Sequence, residues 1–113
     1  FTDVVADKIA FLRDRVRETP ARKATGMVCD SALLPMADGL ASRIMALEVL
    51  EHVEDPAQMM RELVRVGQPG ALYLLSVPDA RGEMMQKTIA PDAYFAPPNR
   101  IHIFEREASS RYF

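Results

Sequence analysis

The sequence predicts an α/β fold of the doubly wound type, with a mainly parallel sheet. Three observations predict it. Short β-branched or aliphatic runs alternate with segments of helical spacing, each strand-like run is nearly all apolar, and each closes on an acidic residue. Strands buried on both faces read as continuous apolar runs rather than alternating ones. Such runs alternating with helices are the mark of βαβ units. At 113 residues the chain fits one small domain, and 49% apolar residues exclude a disordered tail.

The elements follow in order. Residues 2–6 (TDVVA) form a short β-branched run that stops at Asp7, read as a buried strand. From 8 to 18 the spacing becomes helical, with Ile9, Leu12 and Val16 on one face and Thr19-Pro20 as the stop. Residues 26–29 (GMVC) read as a second strand, ending at Asp30, and a polar loop with Pro35 and Gly39 follows. Residues 44–47 (IMAL) are the third strand and run into Glu48-Val49-Leu50-Glu51-His52-Val53. Asp55-Pro56 opens a helix, since aspartate caps free N–H groups and proline fits the first helical position. Its inner face is predicted as Ala57, Met60, Leu63 and Val64, with Gly67 as its end. Pro69-Gly70 turns the chain into a fourth strand, 72–77, stopped by Pro78-Asp79. Between 82 and 99, Met84, Met85 and Ile89 fit a short helix, whereas Pro91, Pro97 and Pro98 demand loop. Residues 101–104 read as extended, and 105–113 as the start of another helix.

In parallel sheets ligands bind beyond the carboxyl ends of the strands. Here those ends are predicted to carry Asp7, Asp30, Glu48 and Asp79. Any one of them alone reads as a cap or loop residue; their shared position points to a site. Other classes are disfavoured. A net charge of −2 leaves no basic field for nucleic acid or anionic lipid. No apolar run approaches the roughly 20 residues that span a bilayer, and no signal-peptide pattern opens the chain. The single cysteine, Cys29, cannot form an internal disulfide, which fits a reducing, cytoplasmic compartment.

The segment Ala46-Leu47-Glu48-Val49-Leu50-Glu51-His52-Val53-Glu54-Asp55-Pro56 carries a resemblance. With Leu34-Pro35-Met36-Ala37-Asp38-Gly39 before it and Arg65-Val66-Gly67-Gln68-Pro69-Gly70 after it, the chain resembles the class I S-adenosylmethionine-dependent methyltransferases. The nearest branch is the "type 11" small-molecule group, with its LPF-x-DG, E-x-LEHV-x-DP and RVL-x-PGG signatures. The resemblance implies a Rossmann-like methyltransferase fold, incomplete here, with residues 1–113 covering family strands 2 to 5 and the following loop and helix start. It implies that Asp7 accepts hydrogen bonds from the cofactor's ribose hydroxyls, and that Asp30, with Ser31 and Ala32, meets the adenine. Leu47, Glu48 and Val49 would line the methionine part, mostly through backbone. The implied reaction is methyl transfer to a small-molecule acceptor.

This sequence departs from the family pattern in several places. The family's first strand and its G-x-G-x-G loop are not among these residues, and Gly26, Gly39, Gly67, Gly70 and Gly82 form no such cluster. The 113 residues alone are therefore expected to bind the cofactor poorly. Family strands six and seven are missing too, and leucine and glycine are usual where Gly67 and Ala71 stand. Two readings follow: the natural protein continues on both sides, or the chain is a non-catalytic remnant acting as a structural or partner-binding module. A dinucleotide-binding oxidoreductase finds no support in E-x-L-E-H-V-x-D-P. The resemblance implies that His52 is the catalytic residue, a metal-free pocket histidine that sometimes acts as a general base, as histidine's near-neutral intrinsic pKa allows, with a purely structural role as another reading. The alternative is a divalent metal on Glu48, Glu51, His52 and His102, because that set resembles the E-x-x-E-H plus later histidine of small-RNA and ubiquinone-pathway methyltransferases. Met84 and Met85 are the methionines placed to line a substrate pocket. Tyr94 and Phe95 are expected as a lid or as core cover. Acceptor identity and oligomeric state are not written in the sequence.

Overall fold

The computed structural model describes residues 1–21, 23–87, 89–96, 102 and 104. They fall into two compact units, Phe1–Met36 and Ala37–Phe113. All strand pairing among them is parallel.

In the first unit, β1 (Thr2–Asp3) pairs with β2 (Met27–Val28), and α1 (Ala6–Arg17) runs between them. Met27 N–H donates to the Phe1 carbonyl at 3.0 Å and Cys29 N–H to that of Asp3 at 3.1 Å, which locks the register. The helix is anchored by Ile9, buried as expected, whereas Val16 is half-buried and Leu12 exposed. Gly26 leaves room for a close approach: a Cβ there would meet the tip of the Phe1 ring at 2.6 Å, which would have to swing aside, and an Ile9 methyl at 3.0 Å. Thr19 Oγ donates to the Val16 carbonyl at 2.7 Å and closes the helix where Thr19-Pro20 predicted.

In the second unit, β3 (Ala41–Leu47) pairs with β4 (Gly67–Ser76), joined by a 3-10 turn, Leu50–His52, and α2 (Pro56–Val66). The predicted start of α2 holds: Asp55 Oδ1 accepts Gln58 N–H at 2.9 Å and Pro56 occupies the first turn. Its inner face is rotated from the expected one. Pro56, Met59, Glu62, Leu63 and Val66 are buried, whereas Val64 is 61% exposed. Positions 56, 59, 63 and 66 follow the 3.6-residue period, which places Val64 on the outer side. Glu62 can lie inside because Arg65 grips it with two hydrogen bonds, 2.8 and 2.7 Å long. A third guanidinium bond reaches Asp38 at 2.6 Å, and Gly39 N–H donates to the Arg65 carbonyl at 2.9 Å. The Asp38-Gly39 and Arg65-Val66-Gly67 motifs are thus two halves of one clasp. Glu62, and then Asp38, raise the Arg65 pKa further above the usual arginine range by hydrogen bonding to its charged form.

Both strands of this pair are longer than predicted. Ala41 pairs with Gly67, but the next partners are Arg43 and Leu72, so residues 68–71 bulge out, with Gly70 at φ +80°. Ala46, Leu50, Met59, Leu63 and Val66 form the core of the unit. On the opposite face Met45 and Leu72 are 67% and 66% exposed, with Leu47 and Leu74 beside them. Helices on both faces were expected; within this unit no helix among the described residues covers this face. After β4, α3 (Ala80–Gln86) forms as the methionine spacing allowed. It buries Glu83 and leaves Met84, Met85 and the following Ile89 exposed, so the apolar spacing does not mark the inner face of this helix. The second half of that stretch holds a 3-10 turn, Asp92–Phe95, with Tyr94 and Phe95 edge to face at 4.9 Å. Phe104 is buried and bridges Asp79 in parallel, as an extended segment should. The expected helix at 105–113 lies outside the described residues. No helix among them is long and apolar enough to cross a membrane.

Candidate cofactor and substrate site

The residue that closes β1 is Asp3, not Asp7. Asp3 Oδ1 accepts Val5 N–H at 2.8 Å, and Oδ2 lies 3.9 Å from Lys8 Nζ. This Asx turn swings the chain out of the strand. The helix therefore starts at Ala6, and Asp7 sits exposed in its first turn. Val4 and Val5 misled the strand reading because β-branching reports fit to a sheet surface, and here they lie beyond the paired residues. Asp30 stands exposed two residues beyond β2 and keeps its expected place at the strand exit. Its Oδ1 accepts Ala32 N–H at 2.9 Å and lies 3.5 Å from Ser31 Oγ. Because Cys29 N–H bonds the Asp3 carbonyl, Asp3 and Asp30 share one end of this sheet.

In the second unit, Leu47 is the last residue of β3 and pairs with Ser76. Glu48 follows with φ +54°, a left-handed conformation that costs a non-glycine residue about 1–2 kcal/mol. Two bonds to one residue hold it. Glu48 N–H donates to the Ser76 carbonyl at 3.1 Å, and Ser76 Oγ donates to Glu48 Oε1 at 2.8 Å. Val49 then leads into the 3-10 turn, closed by His52 N–H on the Val49 carbonyl at 2.9 Å.

Within that turn Leu50 and Glu51 are fully buried. Neither Glu51 carboxylate oxygen has a hydrogen-bond partner among the described residues. Burying such a group unpaired is costly, and the group beside it is His52, whose Nε2 lies 3.7 Å from Glu51 Oε1. The His52 side chain itself is 42% exposed. His102 is drawn to the same turn: its N–H donates to the Glu51 carbonyl at 3.1 Å and its Nε2 lies 3.2 Å from the Glu54 carbonyl. The four-residue metal set is nevertheless not assembled. Glu48 turns to Ser76, the Glu51 oxygens are buried, and His102 Nε2 engages backbone. No group of three or more His, Cys, Asp or Glu is placed to hold a metal ion among the described residues.

Two residues escaped the sequence reading. Asp3 lay inside a β-branched run, and its signal was the backbone N–H two residues on. Ser76 had no local signal, because its partner is 28 residues away.

Parallel strands with acidic exits, and an E-x-x-E-H turn after β3, are what the resemblance to the class I S-adenosylmethionine-dependent methyltransferases implies. The chain belongs to that family: the family described as "Methyltransferase domain" matches residues 2–75. It is 33% identical to norajmaline N-methyltransferase of Rauvolfia serpentina over 58% of this chain and 23% of that protein. It is 32% identical to methyltransferase GfsG of Streptomyces halstedii over 73% of this chain and 30% of that protein. Among solved structures, the [4+2]-cyclase SpnF aligns over 98% of this chain and 38% of its own, with a TM-score of 0.76 at 20% identity. The matches thus span about a quarter to a third of the curated relatives. The likeness to a cyclase speaks for fold alone.

Proposed function

We propose that the protein transfers a methyl group from S-adenosylmethionine to a small-molecule acceptor, residues 1–113 forming part of its methyltransferase domain. The observation that carries this reading is the pair of carboxylates, Asp3 and Asp30, at one end of a parallel strand pair in a chain of this family. That donor set fits the cofactor. A carboxylate offers two acceptor oxygens to neighbouring ribose hydroxyls, and Asp3, rather than Asp7, stands at the strand exit where they would bind. Asp30, with Ser31 and Ala32, would accept from the adenine amine. The backbone of Leu47, Glu48 and Val49 would line the methionine part. When bound, the cofactor supplies an electrophilic sulfonium methyl. The chain's own task is to hold the acceptor in line with it, and His52 would withdraw the acceptor's proton through its exposed ring. A small-molecule acceptor is supported by the relative that is named for norajmaline. The unpaired Cys29 supports a cytoplasmic setting.

Calorimetric titration of the full-length protein with S-adenosylmethionine tests the reading. Binding is expected, weakened about tenfold to a hundredfold by Asp3→Ala and by Asp30→Ala, and unchanged by Asp7→Ala. No binding by the wild type would return the chain to the non-catalytic module, and a loss in Asp7→Ala equal to that in Asp3→Ala would restore Asp7. His52→Ala should slow turnover while cofactor affinity holds.

A further inference from the structure

We infer that Ser76, the last residue of β4, is a positioning residue that holds Glu48 in its left-handed conformation and so sets the path of the Leu47-Glu48-Val49 backbone. The inference rests on the proposed function for what that backbone meets, but its geometry stands apart. Glu48 is the sole non-glycine residue with positive φ among the described residues. A side chain in that region is strained and persists only where its surroundings over-determine it. Here one residue makes both of the hydrogen bonds to Glu48 found among the described residues. The Ser76 carbonyl accepts the Glu48 N–H at 3.1 Å, and the Ser76 hydroxyl donates to Glu48 Oε1 at 2.8 Å. The first bond continues the β3–β4 ladder one residue beyond the last pair, Leu47 and Ser76. The second prevents the Glu48 side chain from relaxing back as the chain turns into Leu50–His52. Loss of the Ser76 hydroxyl is therefore felt at the turn that carries His52, though Ser76 itself need touch neither cofactor nor acceptor.

The test compares Ser76→Ala, Ser76→Thr, Glu48→Gly and the double variant Ser76→Ala/Glu48→Gly in the full-length protein. Glycine adopts positive φ without strain, so it should make the serine hydroxyl dispensable. The first measurement needs no ligand: hydrogen exchange of the Glu48 amide should quicken about fivefold in Ser76→Ala and stay near wild type in Ser76→Thr. An unchanged Glu48 amide in Ser76→Ala would overturn the inference. The second measurement is S-adenosylmethionine affinity, expected to fall about fivefold in Ser76→Ala, to recover in Ser76→Thr, and to be insensitive to Ser76→Ala once Glu48 is glycine. An undiminished loss in the glycine background would overturn the positioning role. Wild-type protein that fails to bind the cofactor would defeat the proposed function instead, leaving the exchange result to decide on Ser76.

Discussion

Two strands of this molecule leave their sheets through an acidic residue, and they do so by opposite means. At the end of β1, Asp3 spends one carboxylate oxygen on the N–H two residues ahead, and the helix begins three residues later. At the end of β3, Glu48 takes a left-handed backbone and is held from across the sheet by Ser76. The first exit is a local turn that any short peptide could sample. The second exists only once β3 and β4 have paired. An acidic strand end is thus one sequence signal with two structural origins, and only the local one can be read from neighbouring residues.

The largest test of this contrast concerns what anchors each exit. Ile9 follows the first and Leu50 the second, both buried. Truncation to alanine should cost about 2–5 kcal/mol in either case, read from denaturant melts of the full-length protein. A much smaller loss for Ile9→Ala would mean that the local exit needs no anchor. Next comes Gly67→Ala at the start of β4, where the added methyl would run into Tyr73 Oη and its ring. Overpacking of this kind should cost about 1–3 kcal/mol, and Tyr73→Leu should relieve most of it. Asp55→Ala, which removes the cap of α2, should lower stability by about 1 kcal/mol. Asp3→Ala should cost about 0.5–1.5 kcal/mol through its lost hydrogen bond. Smallest is Asp7→Ala, exposed in the first helical turn, at about 0.3–1 kcal/mol from the helix dipole. The order of the two aspartates is the sharp part, since reversal would return the strand exit to Asp7.

The sequence made the α/β class, the parallel pairing and the start of α2 legible, because each rests on patterns within one turn or one strand. Asp55-Pro56 is written in adjacent residues, and so is the stop at Thr19-Pro20. Other features were hidden by distance. Arg65 stands one helical turn from Glu62, but nothing near either announces that Asp38, 27 residues from Arg65, will complete the clasp that lets a carboxylate sit among core residues. Nothing near Ser76 announces Glu48. In α2, the apolar Val64 drew the inner face toward itself, although the helical period excludes it once Pro56, Met59 and Val66 are inside. At the site, Asp30, Glu48 and His52 lie at the strand exits and turn predicted for them, whereas the β-branched run after Asp3 concealed the residue that closes β1.

The bulge opposite Ala41 carries a consequence for how this chain can change length. Between two consecutive pairings β3 advances two residues and β4 advances five, so residues 68–71 are outside the ladder, and Gln68, Pro69 and Gly70 are exposed. Elsewhere in a strand, one residue gained or lost turns every later side chain to the wrong face. Here the slack absorbs it, because the ladder from Arg43 and Leu72 onward is fixed independently of the single pair before it. The stretch is an expansion joint, through which insertions and deletions can enter β4 without disturbing the frame that brings Ser76 opposite Leu47.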